Sequence, residues 1–235
     1  MRVAIMQPTY LPWAGYFGLI DSVDLFIFLD NVQFDRRSWQ QRNRIKTNAG
    51  VRWLSVPVYS KGKRDQRINE VIIDSSTNFI GVQKQTIRHN YRAARFLSDG
   101  ISNVEGLIDD LQSEILSDYA IEIIRKIMLQ LNIGTQTVRA SELTSTGVKA
   151  ELLARLCDEV GARVYLSPPG SKEYLEGSDS FEKAGIPIQY FNFVHPTYPQ
   201  PHGEFISHLS VVDLLLNCGP KCSELISRAS GTVEI

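Results

Sequence analysis

RVAIMQPTYLPWAGYFGLIDSVDLFIFL, residues 2–29, decides the fold. Val3-Ala4-Ile5-Met6 is an apolar run that stops at Gln7-Pro8, and Leu25-Phe26-Ile27-Phe28-Leu29 is a second. Between them, Tyr16, Phe17, Leu19, Ile20 and Val23 suit one side of a helix. Strand, loop, helix, strand in this order predicts two parallel strands joined by a right-handed crossover. The strand runs are continuously apolar, which predicts that both of their faces are covered.

The rest of the chain extends this pattern. RWLSVPV (52–58) reads as a strand for which Pro57 marks an end or an edge, and 68–73 as a short strand. Helices are predicted over 78–97 and 104–131, the second interrupted near Ser117-Asp118. Its stripe of Leu107, Leu111, Ile115, Tyr119, Ile123, Ile127 and Leu131 is core packing. A strand at 135–140 follows, then a helix at 147–160 closed by Gly161, strands at 163–166 and 188–193, and a helix from Val211. Alternating strands and helices predict an α/β fold with a mostly parallel sheet and helices on both faces. Residues 1–235 are expected to form a single domain, with a small helical subdomain around 75–132.

The composition is that of a globular chain, with 43% hydrophobic residues and a formal net charge of −1. No global field recruits an anion, so an anion site must be local. Cys157, Cys218 and Cys222 form neither an even disulfide set nor a zinc pattern, which fits reduced thiols. The chain opens on a strand with no signal-peptide pattern, and no apolar run has the length of a bilayer span. A cytoplasmic location is expected.

Ligands of open α/β sheets bind beyond the carboxyl ends of the strands. Four polar loops follow candidate strands: 7–16, 30–44, 141–149 and 167–174. In the first, Gln7 is polar, Tyr10, Trp13 and Tyr16 can stack on a base or sugar, and Gly15 permits close backbone approach to a ligand or a neighbouring helix. The second, DNVQFDRRSWQQRNRIK (30–46), holds four arginines, three glutamines, two asparagines and a tryptophan. Arg36, Arg37, Arg42 and Arg44 are planar forks for phosphate or carboxylate, with Asn31, Gln33, Trp39 and Asn43 interleaved. If 36–45 is helical, Arg37, Gln41 and Arg44 share a face. In the fourth, Ser167, Gly170, Ser171, Lys172 and Tyr174 surround a helix start suited to an anion. Asp30, at a strand end, and His195, after another, are the candidate bases. His202 and His208 read as loop residues, and no metal-ligand pattern emerges.

Residues 6–46, with GARVYLSPPGSKEYL (161–175), FEKAGI (181–186), VHPTYPQ (194–200) and LSVVDLLLNCG (209–219), resemble the WbqC-like family over nearly the whole chain. Members occur among bacterial O-antigen and related polysaccharide genes. The resemblance implies transfer of glycine onto the amine of a nucleotide-linked amino sugar, forming an amide. The donor would be a charged tRNA, a carrier thioester, or an amino acid with ATP and magnesium. Pro8 to Phe34 is also similar to the start of nucleotidylyltransferase-like enzymes such as pantothenate synthetases. Trp13-Ala14-Gly15-Tyr16 stands where their HxGH turn would be, so both phosphate-contacting histidines are replaced by aromatics. Non-catalytic nucleotide-sugar binding is the third reading.

Overall fold

The structure, a computed structural model, describes residues 1–109 and 111–233 and their side chains, those of Pro169, Glu173, Tyr174 and Val233 excepted. The opening stretch forms β1 (Arg2–Met6), α1 (Ala14–Asp21) and β2 (Leu25–Phe28), with β1 and β2 parallel and Val3 opposite Leu25. Further along come β5 (Gln136–Arg139), α5 (Lys149–Glu159), β6 (Val164–Ser167), α6 (Lys172–Glu176), α7 (Ser180–Lys183) and β7 (Ile188–Phe193). The chain closes with α8 (Val211–Cys218), α9 (Cys222–Ala229) and β8 (Ser230–Val233). The six-stranded sheet runs β5-β2-β1-β6-β7-β8, parallel except for β8. The fold is therefore α/β with a mostly parallel sheet.

Alternate residues of each strand enter different layers, as the two-residue period of a strand requires. Val3, Ile5, Ile27 and Tyr165 pack with Leu153, Leu156 and Cys157 of α5, Leu175 of α6 and Phe181 of α7. Ala4, Phe26, Phe28, Leu166 and Phe191 face the larger cluster built with α1, α8 and α9. Gly161 follows α5 at φ +69, the left-handed turn its lack of a Cβ allows.

The insertion between β2 and β5 carries an antiparallel hairpin, β3 (Arg42–Thr47) and β4 (Gly50–Ser55), and three helices, α2 (Phe79–Asn90), α3 (Leu97–Asp109) and α4 (Leu116–Gln130). Buried side chains of these helices share the cluster that holds α1. Three local expectations are corrected. Residues 36–41 are turns and 42–47 a strand, so no helix spans 36–45. The stretch 68–73 is a 3₁₀ turn (Ile68–Glu70) followed by isolated bridges. The expected interruption of the second long helix is present, ahead of Leu116, but the bounds shift, and the two stretches form α2, α3 and α4.

Going outward from β1, the chain adds β2 and β5 on one side, then returns to place β6 on the other. The reversal lies between β1 and β6, so the carboxyl end of β1 is the topological switch point. The hairpin, the turns before it and the start of α8 are tied there: Tyr10 N donates to Trp39 O at 3.0 Å, Ser210 N to Arg44 O at 2.8 Å and Val211 N to Pro12 O at 2.7 Å.

Candidate functional site

A cavity of about 350 Å³ opens beyond the end of β1, lined by Met6, Thr9, Trp13, Tyr16, Trp39, Asn43, Arg44 and His208. Three separate stretches build it, and each has a local cause. Trp13 precedes α1, and its indole folds back over Gly15, where a Cβ would stand 2.1 Å from the ring. Gly15 therefore makes room for Trp13, and the expectation that it brings backbone to a ligand is corrected. The Tyr16 hydroxyl donates to Gln7 O at 3.0 Å, and burial pushes its pKa well up, so it meets the cavity as a neutral ring.

Asn43 is buried and holds the cavity floor. Its amide donates to the carbonyls of Tyr10 (3.3 Å) and Leu11 (2.8 Å), at a point where Leu11 has φ +45. Arg44 donates from Nη2 to His208 O at 3.1 Å and lies 5.2 Å from the Trp39 ring. Arg44 Nε and Thr9 Oγ1 are buried with no hydrogen-bond partner among the described residues. Such groups in a cavity wall are where a ligand's polar atoms gain most.

Imidazoles gather on the same side. Trp13 lies 4.8 Å from His208 and 6.2 Å from His195, and the two histidine rings are 5.1 Å apart. His195 stands behind the lining, half-buried among Phe193, Tyr198 and Phe205. Burial lowers its pKa, and His208 lowers it further. Its Nδ1 lies 3.0 Å from Pro196 O. A carbonyl can only accept, so the neutral ring carries its proton on Nδ1 and leaves the Nε2 lone pair as the base.

A family model for the WbqC-like protein family matches residues 7–224. The chain belongs to the WbqC-like protein family. It is also 33% identical over 226 residues, 96% of this chain and 97% of the other, to an uncharacterized protein, Rv1507c, of Mycobacterium tuberculosis. No solved structure matches the chain. The part matched to the WbqC-like family contains every cavity-lining residue except Met6.

Other expected site residues divide sharply. Asp30 is fully buried and accepts from Arg139 Nε (2.7 Å), Ser141 N (2.9 Å) and Ser141 Oγ (2.7 Å). A carboxylate so enclosed cannot reach a substrate amine, and its expected role as base is corrected to that of a structural anchor. Tyr10 is fully buried, bonded to Gln83 Oε1 at 2.7 Å, so it is core and not a stacking platform. Gln7 Oε1 accepts from Gln40 Nε2 at 2.8 Å, and Asn31 donates to Ala140 O at 3.3 Å. Gln33 Nε2 donates to Arg64 O at 3.1 Å, and with Arg36 it lines a separate basic basin. Arg37 is exposed at φ +60, and Arg42 lies 4.1 Å from the Trp53 ring.

The loop after β6 does not join the cavity lining. Ser167 is buried with its hydroxyl on Pro168 O at 3.2 Å, and Ser171 N also donates to Pro168 O. Gly170 is exposed, and Lys172 pairs with Glu176 at 3.6 Å. With five residues, α6 is too short to make the expected anion site. The side chain of Tyr174 lies outside those described. Thr9 and His208 were missed, Thr9 because a threonine in a loop carries no distinctive signal. His208 sits at φ +57, a conformation no sequence pattern displays.

No helix among the described residues is long and apolar enough to cross a membrane. The three cysteines are free and buried, and burial raises the Cys157 and Cys222 thiols to about 12 and Cys218 to about 11.

Proposed function

We propose that this protein is a transferase of bacterial surface-polysaccharide synthesis that moves an aminoacyl group, glycine, onto the amine of a nucleotide-linked amino sugar. The observation that carries this reading is the cavity itself. Aromatic walls suited to a sugar face meet the His208 imidazole, backed by His195, and an unsatisfied guanidinium Nε at the switch point of the sheet.

In this reading the sugar packs against Trp13 and Trp39, and its polar groups engage Thr9 Oγ1 and Arg44 Nε. The amine nitrogen attacks the acyl carbonyl carbon, and the bond from that carbon to the donor oxygen or sulfur breaks. The ammonium proton formed on attack passes to the imidazole pair and on to the departing oxygen or sulfur. His208 stands on the wall, and His195, with its lowered pKa, is neutral and ready to accept. Holding donor and amine together supplies much of the rate.

Nucleotidylyl transfer with ATP and magnesium fits these residues poorly. Where that chemistry uses two histidines against phosphate, Trp13 presents an indole and Tyr16 gives its hydroxyl to a backbone carbonyl.

The test is a mass-spectrometric search for glycylated product from nucleotide-linked amino sugars with charged tRNA or carrier thioester as donor, beside melting shifts with the sugars alone. A product lost in His208→Ala and reduced in His195→Ala is expected. Sugars that leave the melting temperature unmoved, with no product from any donor, would sink the reading.

A further inference from the structure

Residues 36–67 contain ten lysines and arginines against one acidic residue, Asp65, a local charge of +9 in a chain whose total is −1. Lys46 is consumed internally, its ammonium bonded to Gln200, Gly203 and Glu204. The other nine are exposed or half-buried, and among the described residues none of them lies in a salt bridge. Cations that so outnumber nearby carboxylates repel one another, and an anion from outside would stabilise the arrangement.

The same segment exposes flat rings. Trp39 is 46% and Trp53 39% exposed, with centroids 5.2 Å apart. Arg44 lies against the first and Arg42 against the second. The alternation of β3 puts these two arginines on one face, away from the buried Asn43. At the other end, Arg36, Lys63 and Arg64 outnumber the single carboxylate, Asp35, in the lining of an open basin of about 650 Å³, held shut behind by Phe34 N donating to Gln66 O at 2.9 Å. Arg36 and Trp39 are three residues apart, so basin and ladder lie within about 11 Å of chain.

We propose that the hairpin and the 60–67 loop form a docking track for a single-stranded nucleic acid, with bases stacked on Trp39 and Trp53 and phosphates held by Arg36, Arg52, Lys63 and Arg64. Indoles beside a cationic groove are how proteins hold single strands without reading sequence. Arginine supplies seven of the ten cations, and it both forks phosphate and stacks on bases. An anionic membrane is the less favoured partner, because the hairpin tip is Thr47-Asn48-Ala49-Gly50, and beside it Val51 alone is not enough of an apolar anchor to insert. The track shares Trp39 with the cavity wall but does not rest on the aminoacyl-transfer reading, since Trp53 and the basin residues lie outside the cavity lining; should both hold, the donor is an aminoacylated RNA end.

The probe is a fluorescent single-stranded RNA of about 12 nucleotides, with a DNA of the same sequence, titrated by anisotropy at several salt concentrations. Binding is expected, weakening with salt at a log–log slope of about −0.7 per phosphate held. Trp53→Ala should weaken it about tenfold, within the range for one lost base stack, and Trp53→Phe should restore most of it. Arg36→Ala with Lys63→Ala should flatten the salt slope. Trp53 does not line the cavity, so nucleotide-sugar melting shifts should persist in Trp53→Ala, which separates failure here from failure of the transferase reading. No binding at low salt, Trp53→Ala binding as wild type, or a preference for anionic vesicles would each overturn the track.

Discussion

At the residue scale, Gly15 and Trp13 form one unit. The indole occupies the space a Cβ would need and packs on Phe193 at 5.2 Å and on His208, so it cannot move aside cheaply. Gly15→Ala should cost about 1–3 kcal/mol, the usual range for overpacking. Trp13→Ala with Gly15→Ala should cost less than the two singles together, and urea melts of the four proteins measure that coupling. Additive costs would mean the ring and the glycine are independent. His195 makes a second prediction through its proton. Its folded pKa is depressed, so its contribution to stability is present above about pH 6.5, the unfolded value, and is lost as pH falls through the lowered folded value. His195→Gln should shrink the stability difference between pH 7.5 and pH 5. An unchanged difference would assign that slope to other groups.

At the element scale, Asp30 joins three ends. It follows β2, binds Arg139 at the end of β5, and Arg139 in turn reaches Asp118 (2.6 Å) and Ser117 (3.0 Å) in the first turn of α4. Asp30→Asn keeps the shape but turns an amide against donors already in place. Arg139 keeps Asp118, so the cost should lie at or below the roughly 3 kcal/mol of breaking a buried pair. Chemical denaturation reads this cost, and the same variant should keep its nucleotide-sugar melting shift. A stable variant that no longer binds would instead return Asp30 to the site. The carboxylate's position after a strand was visible in the sequence, but its partner sits 109 residues away, and no local pattern announces it. The hairpin misled for a related reason. RRSWQQRNRI has enough polar residues to read at either period, and only the pairing of Arg44 with Trp53 makes the two-residue period the real one.

At the scale of the whole molecule, the parallel core was readable because each strand is a continuous apolar run next to a helix. Strand order was not, since nothing local says that β6 returns to β1, and so which loops converge stayed hidden. The antiparallel β8 was missed because Ser230-Gly231-Thr232-Val233 is short and barely apolar. The convergence depends on tying the 200–208 segment to the hairpin, and Lys46 joins Arg44 in that tie. Its stem is buried in β3, and its ammonium reaches three acceptors across more than 150 residues of sequence, while Gln200 also accepts from Ile206 N at 2.9 Å. Lys46→Met keeps the stem and removes the donors. Gly203 and Glu204 are exposed, so water can satisfy their freed carbonyls and the chain should still fold. Amide hydrogen exchange should then quicken across 203–209 while the sheet keeps its protection, and cavity ligands should bind more weakly because His208 keeps only its tie to Arg44. Unchanged exchange in that segment would mean that Arg44 and Ser210 hold it without help from Lys46.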